Sequence, residues 1–297
     1  MSLPANNAKC SWENESGVLP DITLCAPDKE KSCFGCCPPI RPPNYEHIQY
    51  RNIVKRMLRE NTRMFEFCSR HQRPITGFSC WALGYLDDTF KIIGCLLHPA
   101  RHDGVDLRYR TGYGEKCRRE SCPESGVFLK LSKEARRFFL GLTLGFDSFE
   151  YSSRKHNPLF TLLGWGEEIL EQVYQDSNSQ STDRESFSSH YPVLVNTAHP
   201  RACAYLLRYV MERLGPRILK SKSFSSLFQG FSEDLFETFS TFGPGNGSLF
   251  THRLAMDKAF EDMLRLGIGI KKIERETACK LKEEVDRRLE LFLRTIA

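Results

Sequence analysis

Apolar residues recur at three- and four-residue spacing from about Asn44 to Arg70, through Tyr45, Ile48, Ile53, Val54, Met57, Leu58, Met64 and Phe65, with Arg and Glu between them. That period predicts one long amphipathic helix. From Pro74 to about Gly126 the period is lost. Short apolar runs, Lys91-Ile92-Ile93-Gly94 and Cys95-Leu96-Leu97-His98, are interrupted by Asp87-Asp88, His98-Pro99, Asp103-Gly104 and Gly112-Tyr113-Gly114, which predicts two short strands among long loops. Ahead of the helix, residues 1–43 read as irregular, and Pro38-Pro39 and Pro42-Pro43 stiffen the exit from that segment.

The rest of the chain reads as helical. Ser132 is placed to cap a helix carrying Ala135, Phe138, Phe139 and Leu142. Pro158 stands at the start of another, with Leu159, Phe160, Leu162, Leu163, Ile169 and Val173 on its apolar face and Gly164 and Gly166 weakening its middle. A polar run from Asp176 to Asp183 predicts a linker near 176–189. Four further helices are predicted at roughly 200–214, 224–241, 249–266 and 271–295, with Gly243-Pro244-Gly245-Asn246-Gly247 as a break. The expected fold class is mainly α: an irregular cysteine-rich module with short strands and one long helix over 1–126, followed by a helical domain over 127–297.

Composition changes this picture in one place. Of 297 residues, 12 are cysteine, and ten of these lie at or before Cys122. The net charge is +5, and residues 1–122 hold 18 basic against 14 acidic side chains, too small an excess to expect nucleic acid as a partner. With 40% apolar residues the chain is not of the disordered class. No window of 18 apolar residues occurs, so no membrane span is expected, and the N-terminus lacks the basic and apolar regions of a secretory signal. The expectation is a cytoplasmic protein, in which clustered cysteines hold metal rather than disulfides.

The cysteines fall into three groups: Cys33-Phe34-Gly35-Cys36-Cys37; Cys80, followed by Cys95-Leu96-Leu97-His98-Pro99; and Cys117-Arg118-Arg119-Glu120-Ser121-Cys122. A Cys-x2-Cys step lets two sulfurs face one ion while turn amides point at them, and Gly35 is expected to allow a left-handed turn. Cys36 and Cys37 project differently, which suggests two metal centres or one polynuclear cluster. Cys95 and His98 repeat the gap with a nitrogen ligand, and His102 lies within reach. The candidate ligands are therefore Cys33, Cys36, Cys37, Cys80, Cys95, Cys117 and Cys122, with His98. Arg118 and Arg119 are candidates to bind the cofactor by stabilising thiolate charge. Neither a doubled Cys-x2-Cys spacing nor a ferredoxin spacing is present, so an iron–sulfur cluster and zinc both stand open. Cys10, Cys25 and Cys68 have no assigned role.

The step Cys33-x2-Cys36-Cys37, then Cys80 with its apolar follow-on and Cys95-Leu-Leu-His-Pro, resembles the YkgJ-like cysteine-cluster family, described as zinc- or iron-chelating domains. The resemblance covers about residues 33–122. Glycine stands one place late at Gly35, Trp81 replaces a proline, His98-Pro99 stands where Tyr and Arg-Pro would be expected, and the closing cysteine is delayed to Cys117. It implies metal chelation by Cys33, Cys36, Cys37, Cys80 and Cys95. One branch of that family is associated with protein lysine methylation, which the resemblance extends to an iron–sulfur-dependent redox or group-transfer enzyme as an alternative. A zinc-stapled scaffold that binds a protein partner is a further one.

Other groups have plainer readings. Asp87, Asp88, Asp103 and Asp106 lack a metal-loop spacing and read as turn formers. Arg108, Arg110, Arg118 and Arg119 with Tyr109 and Tyr113 form a basic-aromatic patch that reads first as a solvated loop face. His199 and Cys203 read as a helix start with a buried thiol rather than a nucleophilic pair. Phe224, Leu227, Phe228, Phe231, Leu235, Phe236, Phe239 and Phe242 read as a core-facing helix stripe.

Overall fold

The structure, a computed structural model, describes residues 22–37, 46–68, 71–75, 80–119, 122–177, 183–240 and 249–296. Cys10, Phe242 and the glycine-rich break at 243–247 lie outside the described residues, as do the side chains of Cys68 and Arg119. The protein is mainly helical, and the strands among the described residues form one two-stranded antiparallel sheet. The chain divides into two compact units, residues 1–129 with 145–157 and residues 130–144 with 158–297. The sequence pattern divides at 126 and does not anticipate the return of 145–157 to the first unit.

The first unit holds α1 (Arg51–Cys68), β1 (Leu83–Tyr85), β2 (Ile93–Cys95), α2 (Gly114–Arg119) and α3 (Pro123–Lys130). After α4 (Lys133–Gly141), which belongs to the second unit, α5 (Ser148–Ser152) completes the first. The long helix begins later than its apolar period suggests. Residues 46–50 form tight turns, and the ring of buried His47 bonds the Phe149 carbonyl at 2.7 Å, which draws that segment inward. The hairpin also differs from expectation. The two apolar runs at 91–98 supply only β2, and its partner is Leu83–Tyr85, paired as Leu83 with Cys95, Gly84 with Gly94 and Tyr85 with Ile93. The Asp87 carboxylate accepts the Lys91 and Ile92 amides and so builds the turn, as its turn-forming reading predicts. Short helices, including 3₁₀ turns at Pro99–Arg101 and Arg108–Thr111, occupy the stretch read as loop, because elements of three to eight residues are too short to show a period.

α5 fastens the N-terminal loop of this unit. The Ser148 hydroxyl accepts the Ser32 amide at 3.0 Å and donates to the Lys91 carbonyl at 2.6 Å. The Ser152 hydroxyl accepts the Phe34 amide at 2.9 Å and donates to the Ser32 carbonyl at 3.2 Å. Ser32 in turn exchanges two 2.7 Å bonds with the backbone of Ile93 in β2. The Tyr151 hydroxyl reaches the Leu24 carbonyl at 3.1 Å. Around this network Phe34, Val54, Leu58, Leu83, Tyr85 and Phe149 form an apolar core. A capping box of Asp147 and Glu150 starts α5.

The second unit comprises α4 with α6 (Pro158–Leu163), α7 (Glu167–Asp176), α8 (Arg184–His190), α9 (Pro192–Asn196), α10 (Pro200–Leu214), α11 (Lys222–Ser240), α12 (Lys258–Asp262) and α13 (Arg275–Ile296). Ser132 caps α4 by accepting the Ala135 amide at 3.2 Å. The helix expected from Pro158 is split into α6 and α7: a Cβ on Gly164 would meet Pro200 at 2.8 Å, and Gly166 takes a left-handed φ of 88°. Asp183 caps α8, so the expected linker near 176–189 contains a helix, and residues 178–182 lie outside the described residues. The pattern at 249–266 yields a 3₁₀ turn, α12 and a π turn at Met263–Gly267, because Ala255 is left-handed at φ 53° and Asp257 restarts the chain as a cap. α13 begins at Arg275, because 271–273 pair instead with 249–251.

In α11, Phe224, Phe228, Leu235 and Phe239 are buried while Leu227 is 51% exposed, which narrows the apolar stripe. Phe231 stacks on Phe292 with 4.3 Å between ring centres. No helix among the described residues is long and apolar enough to cross a membrane.

Cys203 is buried in α10 and hydrogen-bonded to the Ser232 hydroxyl, which itself donates to the Gln229 carbonyl at 2.9 Å, while His199 is exposed, so they form no catalytic pair. Burial pushes the Cys203 thiol from near 9 up to about 12. The folded unit therefore keeps a proton that the unfolded chain releases above pH 9, and this contribution to stability is lost as pH rises through 9 to 12. Urea unfolding over that range should show Cys203→Ala losing stability less steeply than the parent, by up to about 1.4 kcal/mol per pH unit. Parallel slopes would refute this role.

Candidate metal centre

The ten described cysteines are all free thiols, and eight belong to the first unit: Cys25, Cys33, Cys36, Cys37, Cys80, Cys95, Cys117 and Cys122. Seven of these are the candidates read from spacing, and Cys25 is an addition. Among the described residues, no three or more His, Cys, Asp or Glu side chains converge as a ready metal site. Several cysteines nevertheless neighbour one another: Cys37 and Cys95 pack against the core that holds Cys80, and Cys25 and Cys33 share a backbone bond.

Cys25 and Cys33 are joined by a bond from the Cys33 amide to the Cys25 carbonyl at 2.9 Å. The turn Cys33-Phe34-Gly35-Cys36-Cys37 closes with the Cys37 amide on the Phe34 carbonyl at 3.0 Å. The Cys33 sulfur accepts the Gly35 amide. Gly35 does not adopt the left-handed conformation expected of it. What it supplies is close approach: a Cβ there would stand 2.8 Å from the Ser152 carbonyl oxygen and 3.6 Å from the Cys33 sulfur. Burial, then the thiols of Cys36, Cys25 and Cys122, raise the Cys33 thiol to about 12. Burial and Cys36 also raise Cys25, against a bond from Ser125.

Cys122 precedes α3. Its sulfur accepts the Ser125 amide, donates to Glu124 at 2.8 Å and receives Arg154 at 3.6 Å. Burial and the bonded Glu124 hold it at about 12. Arg154 grips the Glu124 carboxylate at the same time, with one bond of 2.9 Å.

The remaining thiols gather on the hairpin side. Cys80 is buried in the core cluster, with Cys37 and Cys95 packed against it. Its sulfur accepts the amides of Ala82 and Leu83, and that of Cys95 accepts the amide of Leu97. Burial lifts Cys80 to about 11 and Cys95 to about 12. Cys37 is raised by its bond to the Cys36 thiol, then by burial, then by Cys36, Cys95 and Cys80. Cys117, on α2, is raised by burial while Arg108 pulls it down.

Of the expected helper residues, Arg118 pairs with Glu115 at the surface, and the side chain of Arg119 lies outside the described residues. The cations whose charge reaches the thiols are Arg154, near Cys122 and Cys33, and Arg108, near Cys95 and Cys117. Arg108 also donates to the Cys117 carbonyl at 3.1 Å and forks onto Asp106 at 2.7 and 2.9 Å. His98 is exposed, its amide bonds the Cys95 carbonyl at 3.2 Å, and partial desolvation of its ring, followed by Arg108, lowers its pKa. A His102 ring nitrogen bonds the Leu96 carbonyl at 2.7 Å. Beside Cys117 lies a cavity of about 580 Å³ lined by Asp106, Tyr109, Tyr113, Glu115, Lys116 and Arg118, so the basic-aromatic patch carries both signs of charge.

Chemically, the arrangement offers soft sulfur donors, several already receiving backbone N–H bonds that favour the thiolate, with one arginine near each end. Comparison of the chain with family models, with curated proteins and with solved structures gives no match.

The close approach at Gly35 yields a sharp expectation. Gly35→Ala forces the turn off Ser152, disturbs both Cys33 and Cys36, and should lower the stability of the first unit by about 1–3 kcal/mol. Thermal unfolding checks this, and an unchanged midpoint would refute the contact.

Proposed function

We propose that the first unit is a zinc-binding module in which cysteine thiolates hold the metal and staple loops that a modest apolar core leaves underdetermined. The observation that carries the reading is the gathering of eight thiols from separate chain segments into one unit, with backbone amides donating to the sulfurs of Cys33, Cys80, Cys95 and Cys122. Amide donors on sulfur are what a negatively charged thiolate shell needs, and they are laid out here before any ion binds. Four neutral thiols have no reason to close to the roughly 3.8 Å sulfur spacing of a zinc tetrahedron, and the ion itself provides that force. Each ligand gives up its proton to solvent as the ion enters, so affinity falls as pH is lowered.

Zinc is favoured over an iron–sulfur cluster because Cys36 and Cys37 are neighbours. Adjacent ligands can serve two mononuclear ions, whereas two cubes would crowd at one peptide link. An all-thiolate shell is closed, which makes the ion a structural staple and leaves no open position for a substrate.

Anaerobic purification followed by elemental analysis and an absorption spectrum tests the reading. The expected outcome is a colourless protein with about two zinc ions per chain, whose first unit unfolds when a strong chelator removes them. A brown protein absorbing near 400 nm would replace zinc by iron–sulfur. A protein without stoichiometric metal would overturn chelation altogether.

A further inference from the structure

We propose that the outward side of α1 is a docking surface for an acidic amphipathic helix of a partner protein. The partner seats along Ile53, Met57, Met64 and Phe67 and is held by Arg56, Arg59 and Arg63. The surface does not rest on the zinc reading above.

α1 is fixed to the first unit by one side. Val54 and Leu58 are buried in its core, and Met57 and Phe65 pack against that core. The Asn61 side-chain amide donates to the carbonyls of Cys80 at 3.2 Å and Leu83 at 2.8 Å, and the Thr62 hydroxyl accepts the Tyr85 amide at 2.8 Å. A second stripe runs beside this anchored one. Residues 53, 57, 60, 64 and 67 follow one another at spacings of four and three, so they share one helix face. On it Ile53 is 60% exposed, Met64 52% and Phe67 75%, while half-buried Met57 joins the stripe to the core. Single apolar residues at a surface are ordinary, but three large ones in register along one helix mark a surface that something else covers.

The charges beside the stripe say what covers it. α1 carries Arg51, Lys55, Arg56, Arg59 and Arg63 against Glu60 and Glu66. Arg51 is committed to Asp147, and Lys55 lies over the Phe149 ring at 5.7 Å. Arg56 and Arg63 each stand one position before a methionine of the stripe, which sets them along its solvent edge, and Arg59 lies on the same side. Arg56 meets Glu60 only loosely, at 4.0 Å with both side chains exposed, and Arg63 makes no ion pair among the described residues. Arg59 is steadied over the Phe90 ring at 5.2 Å. A narrow apolar seam with a cationic edge is complemented by a helix bearing apolar residues at the same three- and four-residue spacing and carboxylates along one flank.

Other occupants fit less well. A second copy of α1 would set arginine against arginine. A membrane surface takes a broad apolar face, whereas Glu60 stands in the middle of this stripe, where contact with hydrocarbon would be costly. From Ile53 to Phe67 the seam is about four turns and roughly 21 Å long, the reach of a partner helix of about 15 residues.

The test uses the full chain and two labelled probes, synthetic three-heptad peptides with leucine at the seam positions and either glutamate or lysine along both flanks. Fluorescence anisotropy should show the glutamate probe binding and the lysine probe binding at least about tenfold more weakly. Raised salt should weaken the glutamate complex. Phe67→Asp and Ile53→Asp, both at exposed positions, should each weaken the glutamate probe by about tenfold or more with unchanged circular dichroism. The double variant Arg56→Glu/Arg63→Glu leaves the apolar stripe intact and should reverse the preference between the probes. Failure of the glutamate probe to bind, equal binding of both probes, or binding unmoved by Phe67→Asp and by the charge reversal would each overturn the proposal. Dimers in sedimentation that Phe67→Asp dissolves would replace the partner by a second copy. Binding to phosphatidylserine vesicles without binding to the glutamate probe would replace it by a membrane.

Discussion

Everything in the first unit depends on two buried serine hydroxyls of α5. Ser148 and Ser152 are both buried, and between them they bond the amides of Ser32 and Phe34 and the carbonyls of Ser32 and Lys91. A loop without secondary structure must place its peptide groups somewhere, and leaving one such donor buried and unmade costs about 1–3 kcal/mol. The loop at 22–37 solves this with side chains from more than a hundred residues along the chain. Because the same Ser32 hydroxyl pairs with Ile93, the loop behaves as a third neighbour of the hairpin although it is not a strand. Four of the eight thiols ride on that loop, so their position relative to Cys80 and Cys95 is set by hydroxyl bonds together with the packing of Phe34 in the shared apolar core.

The consequence for the thiols is electrostatic. Burial is the largest influence on Cys25, Cys33, Cys80, Cys95, Cys117 and Cys122, and in each it favours the neutral form. Opposing it are amides aimed at sulfur and the charges of Arg108 and Arg154. Burial alone would make inert thiols, as at Cys203, where the Ser232 hydroxyl is opposed by burial and by the charge of Glu233. The donor arrangement of the first unit is stronger than neutral thiols require, and it makes sense if negative charge is to be accommodated there.

How much of this was legible in the sequence follows from the range of each signal. Long periodic helices were readable because their pattern repeats over several turns: the helix predicted at 200–214 coincides with α10, and the Ser132 cap falls where it was placed. Local chemistry also carried through, as in the turn built by Asp87. What failed was everything decided at a distance. The hairpin partner of Ile93–Cys95 lies beyond a turn that the apolar runs do not mark, and residues 145–157 carry no sign that they belong with a loop at 22–37. Cys25 stands eight residues before Cys33, outside any knuckle spacing, so the sequence assigns it no role and only the fold brings it beside Cys33. Arg108 and Arg154 escaped the sequence reading for the same reason: Arg118 is next to Cys117 in sequence and pairs with Glu115, while Arg108 and Arg154 arrive through folding.

The two units thus illustrate different solutions to ordering a chain. The second unit buries aromatic side chains from many helices, including Trp165, whose ring nitrogen bonds the Leu194 carbonyl at 3.0 Å, and Phe228 close beside it. Its order follows from burial and capping. The first unit has one short hairpin and one long helix to bury, with loops at 22–37, 71–75 and 96–113 that contribute few apolar anchors. Loops of that length lose conformational entropy that hydroxyl bonds alone offset poorly. On the proposed function, cross-linking them through a shared ion would add constraint where the apolar core is thinnest, and the thiols sit on those loops and their edges. That placement, more than the number of cysteines, is the physical argument for metal as part of the fold.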